Sequence, residues 1–254
     1  MHRLKILYIV GDGSTHENIE LRWSLRSLEK FCTTVVEPVL VGSMLPDWFV
    51  GHKLYAPDTW PHKEQNIFAA ICDAVEEGLV DDEKFQISAD DHFWVKPVDL
   101  SLLPIYYREL TIPEWDGNGN NHAKALGGTR QLLLENVCTT FNTAVHCNQW
   151  VFAKDIRIAQ EMLAKTTSDL VKSYGAVSWA LFPNLFMSMH YATERWGVPI
   201  MRKHDVKIRE TKGRAFLDEI GESEIASVND AAFECPELVE FFKGLYPTKS
   251  RWEK

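Results

Sequence analysis

The first ten residues constrain the fold most strongly. Leu4–Val10 reads LKILYIV, an almost unbroken apolar run. A strand that is exposed on one face alternates polar and apolar residues, whereas a parallel strand covered on both faces is apolar throughout. The run therefore predicts a central strand of a parallel sheet with helices on both faces, which places the chain in the α/β class.

Alternating strand and helix patterns continue for the next 80 residues. Strands are predicted at 35–41, 53–56 and 84–88. The spacing of Leu21, Leu25, Leu28 and Cys32 predicts a helix capped by Ser14 or Thr15. A second apolar helix face follows the third strand and is formed by Ile67, Ala70, Ile71, Ala74 and Val75. Such alternation predicts βαβ units and a mainly parallel central sheet, as in Rossmann-like folds.

The second half of the chain is less regular. Residues 114–128 are rich in glycine, asparagine and charge, which predicts a long loop. A strand at 149–153, a helix at 155–163, a helix at 173–191 that Pro183 interrupts or kinks, and a short helix at 236–242 are predicted after it. Because no repeat or linker divides the sequence, we predict one domain over 1–254, with a nucleotide-binding half to about residue 100 and an acceptor-binding half beyond it.

Composition excludes several classes of protein. A net charge of −9 argues against a general nucleic-acid-binding protein, although a local basic groove is compatible with it. The five cysteines form no C-x-x-C pair, which indicates reduced thiols. Zinc-protease, serine-hydrolase and P-loop motifs are absent from the sequence, as is the third glycine of a dinucleotide fingerprint. Without an apolar run of about 20 residues or a leader pattern, we expect a soluble, cytoplasmic protein with no membrane span.

Two loops follow predicted strands at the edge where α/β sheets bind ligands. The first contains Gly11, Asp12, Gly13 and Ser14, whose glycines allow close backbone approach. The second is Ala89-Asp90-Asp91-His92. Adjacent carboxylates at the end of a buried strand are costly unless a cation or hydrogen-bond donors compensate them. Mg²⁺ or Mn²⁺ bridging a diphosphate is one such compensation, and an aspartate-rich turn is the structural alternative.

Two helices carry pairs of polar side chains that face one way. Lys63 and Asn66 are three residues apart at the start of the second predicted helix, where an anion is favoured. Arg22 and Arg26 are four residues apart on the first helix. Each pair is suited to a phosphate. A solvated first turn is the alternative for Lys63 and Asn66, and surface pairing with a glutamate is the alternative for Arg22 and Arg26.

The order of these motifs resembles that of a known enzyme family. The chain presents, in sequence, Gly11-x-Gly13-Ser14, the block ELRWSLRSLEK at 20–30, Pro61-His62-Lys63-x-x-Asn66, Asp90-Asp91-His92-Phe93, and Tyr246-Pro247-x-Lys249-Ser250-Arg251-Trp252-Glu253. This succession resembles the GT-A glycosyltransferases of bacterial polysaccharide loci and phage genomes.

The resemblance implies a single GT-A domain with a UDP-sugar donor. It places Gly11, Asp12, Gly13, Ser14, Arg22, Lys63, Asn66 and Asp90 at the donor nucleotide. It also implies a Mn²⁺ or Mg²⁺ ion held by Asp91, with His92 and His204 as further ligands and His190 as a substitute for His204. The first position of the family's acidic motif is Ala89 here, so an inactive nucleotide-sugar-binding module stays an alternative.

In size and motifs the chain is similar to the phage arabinosyltransferases that act on DNA hydroxymethylcytosine. It implies a donor such as UDP-arabinose or UDP-glucose and hydroxymethylated DNA as the acceptor, with the base flipped out and stacked on aromatic rings. Candidate rings are Trp115, Trp150, Trp179 and Trp196, with core packing as the alternative. A phosphate-tracking surface is predicted from the basic residues Lys203, Lys207, Arg209, Lys212, Arg214, Lys249, Arg251 and Lys254. A capsular or lipopolysaccharide chain is the alternative acceptor.

Inversion of configuration requires a base to deprotonate the acceptor hydroxyl. The candidates in order are Asp116, His146 and Glu114. Retention of configuration requires no dedicated base, and the sequence is compatible with both outcomes.

Overall fold

The computed structural model describes residues 3–11, 17–80, 83–145, 147–190, 200–202, 206–208, 220, 223–228 and 234–254. Within these ranges the strands and helices are β1 (Leu4–Val10), α1 (Ile19–Phe31), β2 (Val36–Gly42), β3 (His52–Tyr55), α2 (Lys63–Glu76), β4 (Lys84–Ser88), β5 (His92–Trp94), β6 (Ile105–Tyr107), α3 (Asn121–Glu135), β7 (Gln149–Phe152), α4 (Ala153–Lys165), α5 (Asp169–Tyr174), α6 (Ser178–His190), β8 (Ile200–Arg202), β9 (Val206–Ile208), β10 (Ile225–Val228) and α7 (Pro236–Leu245).

The central sheet has five strands in the order β3-β2-β1-β4-β7. The first four strands are parallel, and β7 runs antiparallel to β4. β1 lies in the middle, with Ile6 and Leu7 fully buried on opposite faces. The sheet confirms the predicted α/β class and its mainly parallel order. The remaining strands form two smaller sheets, β5-β10-β9 and β6-β8.

Helices cover both faces of the central sheet. Leu7, Val39 and Phe85 pack with side chains from α2, α3, α4 and α6. Ile6, Tyr8 and Leu40 pack with Leu21, Leu25 and Leu28 of α1. Burial of such a side chain stabilises the fold by about 1.5–3 kcal/mol, so these two layers account for most of the driving force for folding.

The predicted loop at 114–128 is wrong for its second half, where α3 begins at Asn121. Asn120 caps this helix, because its Oδ1 accepts from the Ala123 N–H at 3.0 Å. Gly127 and Gly128 are tight packing positions. A Cβ on Gly127 would lie 2.6 Å from the Trp115 Cβ, and one on Gly128 would lie 3.1 Å from the Leu170 Cβ. The glycines therefore allow close helix packing and do not mark a flexible loop.

The single helix predicted at 173–191 is two helices. α5 ends at Tyr174, and its C-cap Gly175 has a φ of 81°, which is in the left-handed region. α6 then runs through Pro183 to His190 without interruption. Pro183 has no N–H for the Trp179 carbonyl, and the Thr143 hydroxyl donates to that carbonyl at 2.9 Å instead. This substitute bond explains why the helix tolerates the proline.

The N-cap of α1 is Asn18, with a φ of 56°, and is neither Ser14 nor Thr15, both of which lie outside the described residues. Among the helices that the structure describes, none has the length and apolar character needed to cross a bilayer.

Candidate functional site

The predicted acidic pair forms the turn between β4 and β5. Asp90 and Asp91 therefore lie at the carboxyl end of β4, beside the carboxyl end of β1. The Asp91 side chain is 28% exposed. Its Oδ2 accepts from the Ser227 hydroxyl of β10 at 3.0 Å. The turn thus sits where the central sheet meets the smaller β5-β10-β9 sheet.

Asp90 has a strongly perturbed carboxyl group. Burial raises its pKa to about 7, and the negative charges of Asp91 and Glu20 add to the rise. The positive charge of Lys63 opposes it. Glu20 and Lys63 stand in the first turns of α1 and α2, and both act electrostatically on the acidic turn. A compensating cation would remove the cost of ionising Asp90.

Glu20 is a member of this group that the sequence analysis missed. It lies in the first turn of α1 and is only 3% exposed. Its Oε2 has no hydrogen-bond partner within the described part of the chain. A buried carboxylate oxygen is costly in this state, so Glu20 supports the view that a cation or a ligand donor belongs here. Its sequence position resembles an ordinary first-turn acid, which explains why spacing alone did not reveal it.

His92 is buried beside the acidic turn. The side chain is 3% exposed. Its Nδ1 accepts from the Ala89 N–H at 3.4 Å, and its Nε2 lies 3.6 Å from Asp91 Oδ1. The His92 ring thus lies against the acidic turn, with Nε2 beside the proposed metal ligand Asp91, and its predicted metal role stays a prediction.

The donor set of the acidic turn fits a hard divalent cation only in part. Carboxylate oxygens are the ligands that Mg²⁺ and Mn²⁺ prefer. Nowhere in the described ranges, however, do three His, Cys, Asp or Glu side chains form a group that could hold a metal. His204 and the His190 side chain, the predicted additional ligands, lie outside the described residues.

A buried hydroxyl ladder fixes the strand that follows the turn. Ser24 donates to the His92 carbonyl at 2.6 Å and is 3.0 Å from the Tyr8 hydroxyl. The Ser27 hydroxyl accepts from the Trp94 N–H at 3.0 Å. Since β5 is an edge strand of its described sheet, these serines of α1 satisfy backbone groups that face away from β10.

Arg22 is committed to the protein's own tail. Its Nη1 lies 3.0 Å from Glu253 Oε2, and its guanidinium stacks 4.1 Å from the centre of the Trp48 ring. Arg26 binds the same carboxylate through Nε at 2.8 Å and Nη2 at 2.7 Å. Arg22 therefore lies in an internal ion pair and not in an open phosphate site. The pair joins the motif block at 20–30 to the block at 246–253.

The predicted nucleotide residues divide into two groups. Lys63 is exposed, and its positive charge lowers the pKa of Asp90. An exposed lysine beside the acidic turn is suited to binding a diphosphate. Asn66 instead binds the backbone of Trp60 on both sides. At Gly11 a Cβ would meet no atom of the described residues within 4 Å. Asp12, Gly13 and Ser14 lie outside the described residues.

The geometry argues against the described base candidates. Asp116 is fully exposed, and hydrogen bonds from Asn118 hold the pKa of its carboxyl below the usual range, which makes it a poorer base. Its Oδ1 accepts from the Asn118 N–H at 3.0 Å in a local turn. The Glu114 side chain is 81% exposed and lies 3.9 Å from Arg130 Nη1. His146 lies outside the described residues.

Three of the four predicted stacking tryptophans are described, and each donates a hydrogen bond to a backbone carbonyl. Trp150 is 1% exposed and donates to the Leu103 carbonyl, so it belongs to the core. Trp179 donates to the Cys147 carbonyl and Trp115 to the Asn118 carbonyl. Outside the described residues or side chains lie Trp196, Lys203, Lys207, Arg209, Lys212 and Arg214.

The C-terminal basic residues are bound within the protein. Arg251 pairs with Glu29 at 2.7 Å. Lys249 donates to the main-chain oxygen of Lys254 at 2.7 Å. These contacts tie the tail to α1 and to itself, and they reduce its value as a free phosphate-tracking surface.

A scan against protein-family models matches no family, and a search of curated proteins finds no match for the chain.

Proposed function

We propose that the chain is a GT-A glycosyltransferase that transfers a sugar from a UDP-sugar with the help of Mn²⁺ or Mg²⁺. The observation that carries this proposal is the Asp90–Asp91 turn at the carboxyl ends of β1 and β4, with Lys63 close enough to affect the Asp90 pKa. Two carboxylates and a lysine at that edge suit a cation and a diphosphate together.

Asp90, Asp91 and Lys63 each have a defined role in this proposal. Asp91, supported by Asp90, holds the cation, and His204 is the proposed additional ligand on the strength of the resemblance. Lys63 stabilises the negative charge that grows on the departing UDP, and a cation held at the acidic turn would supply further positive charge there. The acceptor oxygen forms a bond to the anomeric carbon while the bond from that carbon to the diphosphate oxygen breaks, and the acceptor proton passes to a base or to the leaving phosphate.

The proposed acceptor is the hydroxymethyl group of modified cytosine in DNA, and it rests on the family resemblance. A capsular or lipopolysaccharide chain is the second acceptor. An inactive nucleotide-sugar-binding module is the competing function, and it is favoured by Ala89 and by the contact between Asp91 and Ser227.

Mass spectrometry of nucleosides tests the reaction. The protein is incubated with hydroxymethylcytosine DNA, Mn²⁺ and one UDP-pentose or UDP-hexose at a time. A mass gain of one sugar residue on the modified cytosine supports both enzyme and acceptor. UDP-sugar hydrolysis without that gain supports the enzyme and redirects the acceptor to polysaccharide. Binding of UDP-sugar without any turnover supports the inactive module.

Two variants test the acidic turn. Asp91→Asn and Asp90→Asn keep the side-chain shape but remove negative charge, so each should reduce turnover about 100-fold or more. Asp73→Asn makes the same chemical change at an exposed position of α2 and serves as the control. Equal turnover in Asp91→Asn and Asp73→Asn would overturn the metal assignment.

A further inference from the structure

Trp60 is an exposed aromatic ring on a fixed backbone. Its relative exposure is 53%, although tryptophan is highly buried on average in folded proteins. The Trp60 N–H donates to Asn66 Oδ1 at 2.8 Å, and Asn66 Nδ2 donates to the Trp60 carbonyl at 3.0 Å. One amide side chain thus satisfies both backbone groups of Trp60 and limits where its ring can point.

A second set of contacts fixes the loop that carries Trp60. The Ser43 hydroxyl donates to Asp58 Oδ2 at 2.6 Å. The Ala56 N–H donates to the Gly42 carbonyl at 3.0 Å. The loop 56–62 is therefore tied to the carboxyl end of β2 as well as to α2. Its exposed ring lies at the ligand-binding edge of the central sheet on an ordered support.

The sheet order sets the distance between Trp60 and the acidic turn. β3 and β4 are separated by β2 and β1. At about 4.8 Å per strand spacing, their carboxyl ends are roughly 14 Å apart. Lys63 is the first residue of α2, and α2 packs against β2 and β1, the two strands between β3 and β4. A nucleoside that points towards β3 from a diphosphate at Lys63 would therefore lie beside Trp60.

We propose that Trp60 is the stacking surface for the nucleobase of the donor, and that Asn66 is a positioning residue that acts through Trp60. The inference rests on the proposed function, since it takes the diphosphate at Lys63 and Asp90 as its starting point. It gives Asn66 a different role from the direct nucleotide contact that its helical spacing suggested.

Calorimetric binding of two probes tests the stacking surface. UDP and inorganic pyrophosphate are each titrated with Mn²⁺ into the native protein, Trp60→Ala, Trp60→Phe and Leu134→Ala. Leu134 is 50% exposed on α3 and is the control for loss of an exposed apolar side chain. Trp60→Ala should weaken UDP binding about tenfold, with pyrophosphate binding unchanged within about twofold, because only UDP carries a base. Trp60→Phe should retain most of the UDP affinity.

Two results would overturn the inference while leaving the proposed function intact. One is unchanged UDP affinity in Trp60→Ala, and the other is an equal loss of UDP and pyrophosphate affinity. If the native protein binds neither probe, the proposed function itself fails and the inference fails with it.

A double-mutant cycle tests the role of Asn66. Asn66→Ala should weaken UDP binding about as much as Trp60→Ala does, because it releases the Trp60 backbone. In the Trp60→Ala background the same change should have no further effect on UDP binding. Independent, additive losses would show that Asn66 touches the nucleotide itself, which would overturn its positioning role. Thermal unfolding of each variant separates a binding defect from loss of the fold.

Discussion

Glu253 joins residues from opposite ends of the chain. Its side chain is fully buried and accepts from Arg22, Arg26 and the Ser250 N–H. Burial alone would raise the pKa of this carboxyl, but the hydrogen bonds and charges of the two arginines outweigh it and lower the pKa to about 2. The ionised form is therefore much better stabilised in the folded protein than in the unfolded chain.

Acid should weaken this contact in a defined pH window. A pKa of about 2 in place of 4.5 corresponds to on the order of 3 kcal/mol of unfolding free energy, at about 1.4 kcal/mol per pKa unit. This contribution is present above pH 4.5 and is lost as the pH falls towards 2. Urea unfolding of the native protein and Glu253→Gln should differ most at neutral pH and least near pH 2.

The control for this experiment is Glu240→Gln, whose side chain is 71% exposed beside Lys243. It should change the unfolding free energy by less than about 0.5 kcal/mol at any pH. A gap between native protein and Glu253→Gln that stays constant with pH would contradict the assignment.

Local spacing predicted the cations of this cluster and could not predict their partner. Arg22 and Arg26 face one way because they are four residues apart on a helix. Glu253 is 231 positions from Arg22, and only the folded chain brings them together. A phosphate and a distant carboxylate satisfy an arginine equally well, so residue type alone did not separate a ligand site from an internal ion pair.

At the scale of elements, two serines of α1 form hydrogen bonds with the backbone of β5 on the side that faces away from β10. Ser24→Ala would remove the hydrogen bond to the His92 carbonyl, and Ser27→Ala would remove the one from the Trp94 N–H. Both serines are buried, so each variant should lose about 1–3 kcal/mol of unfolding free energy.

Urea denaturation measures this loss, with Ser173→Ala at an exposed position of α5 as the control. Losses no greater than that of Ser173→Ala would show that water or relaxation replaces the bonds, and α1 would then not be needed to hold β5.

Because Gly42 has no side chain, the carboxyl ends of β1 and β2 can lie close together. Its φ of 146° is in the region that favours glycine, and a Cβ there would lie 1.9 Å from the Val10 carbonyl oxygen. Gly42→Ala should therefore cost at least about 2 kcal/mol of unfolding free energy. Gly244→Ala is the matched control in α7, because its Cβ would meet nothing within 4 Å.

The two glycine variants should differ in sign. Gly244→Ala should stabilise the protein by roughly 0.5–1 kcal/mol through helix propensity. Equal and small effects of both changes in thermal unfolding would show that the strand ends can separate to admit a side chain.

Burial, helix capping and strand pairing explain which elements could be predicted from the sequence. The bounds predicted for β1 and β4 are confirmed. β1 is almost entirely apolar because it is buried on both faces, whereas β4 carries the buried polar side chains Gln86 and Ser88. α3 was missed because glycine and asparagine usually mark loops, whereas here Asn120 caps the helix and Gly127 admits Trp115. Short strands such as β5 depend on distant partners, which local periodicity does not contain.

For the whole molecule, charge should couple the binding of metal and nucleotide. The chain carries a net charge of −9, and Glu20, Asp90 and Asp91 concentrate negative charge where the diphosphate is proposed to bind. UDP and these carboxylates repel each other unless a cation lies between them. Lys63 supplies one positive charge nearby, which is too little to offset both the carboxylates and the diphosphate.

We therefore expect UDP to stabilise the protein against heat only with a divalent cation. At a ligand concentration about 100 times its Kd, binding adds roughly 2.7 kcal/mol, which corresponds to a rise in Tm of about 5–10 °C for a chain of this size. Scanning calorimetry with UDP and Mn²⁺ should show this rise, and UDP in a chelator should not. Asp91→Asn should abolish the rise, whereas Asp73→Asn should keep it. An equal rise in Tm with UDP in the presence of the chelator would mean that the protein alone neutralises the diphosphate, and the acidic turn would then need a different role.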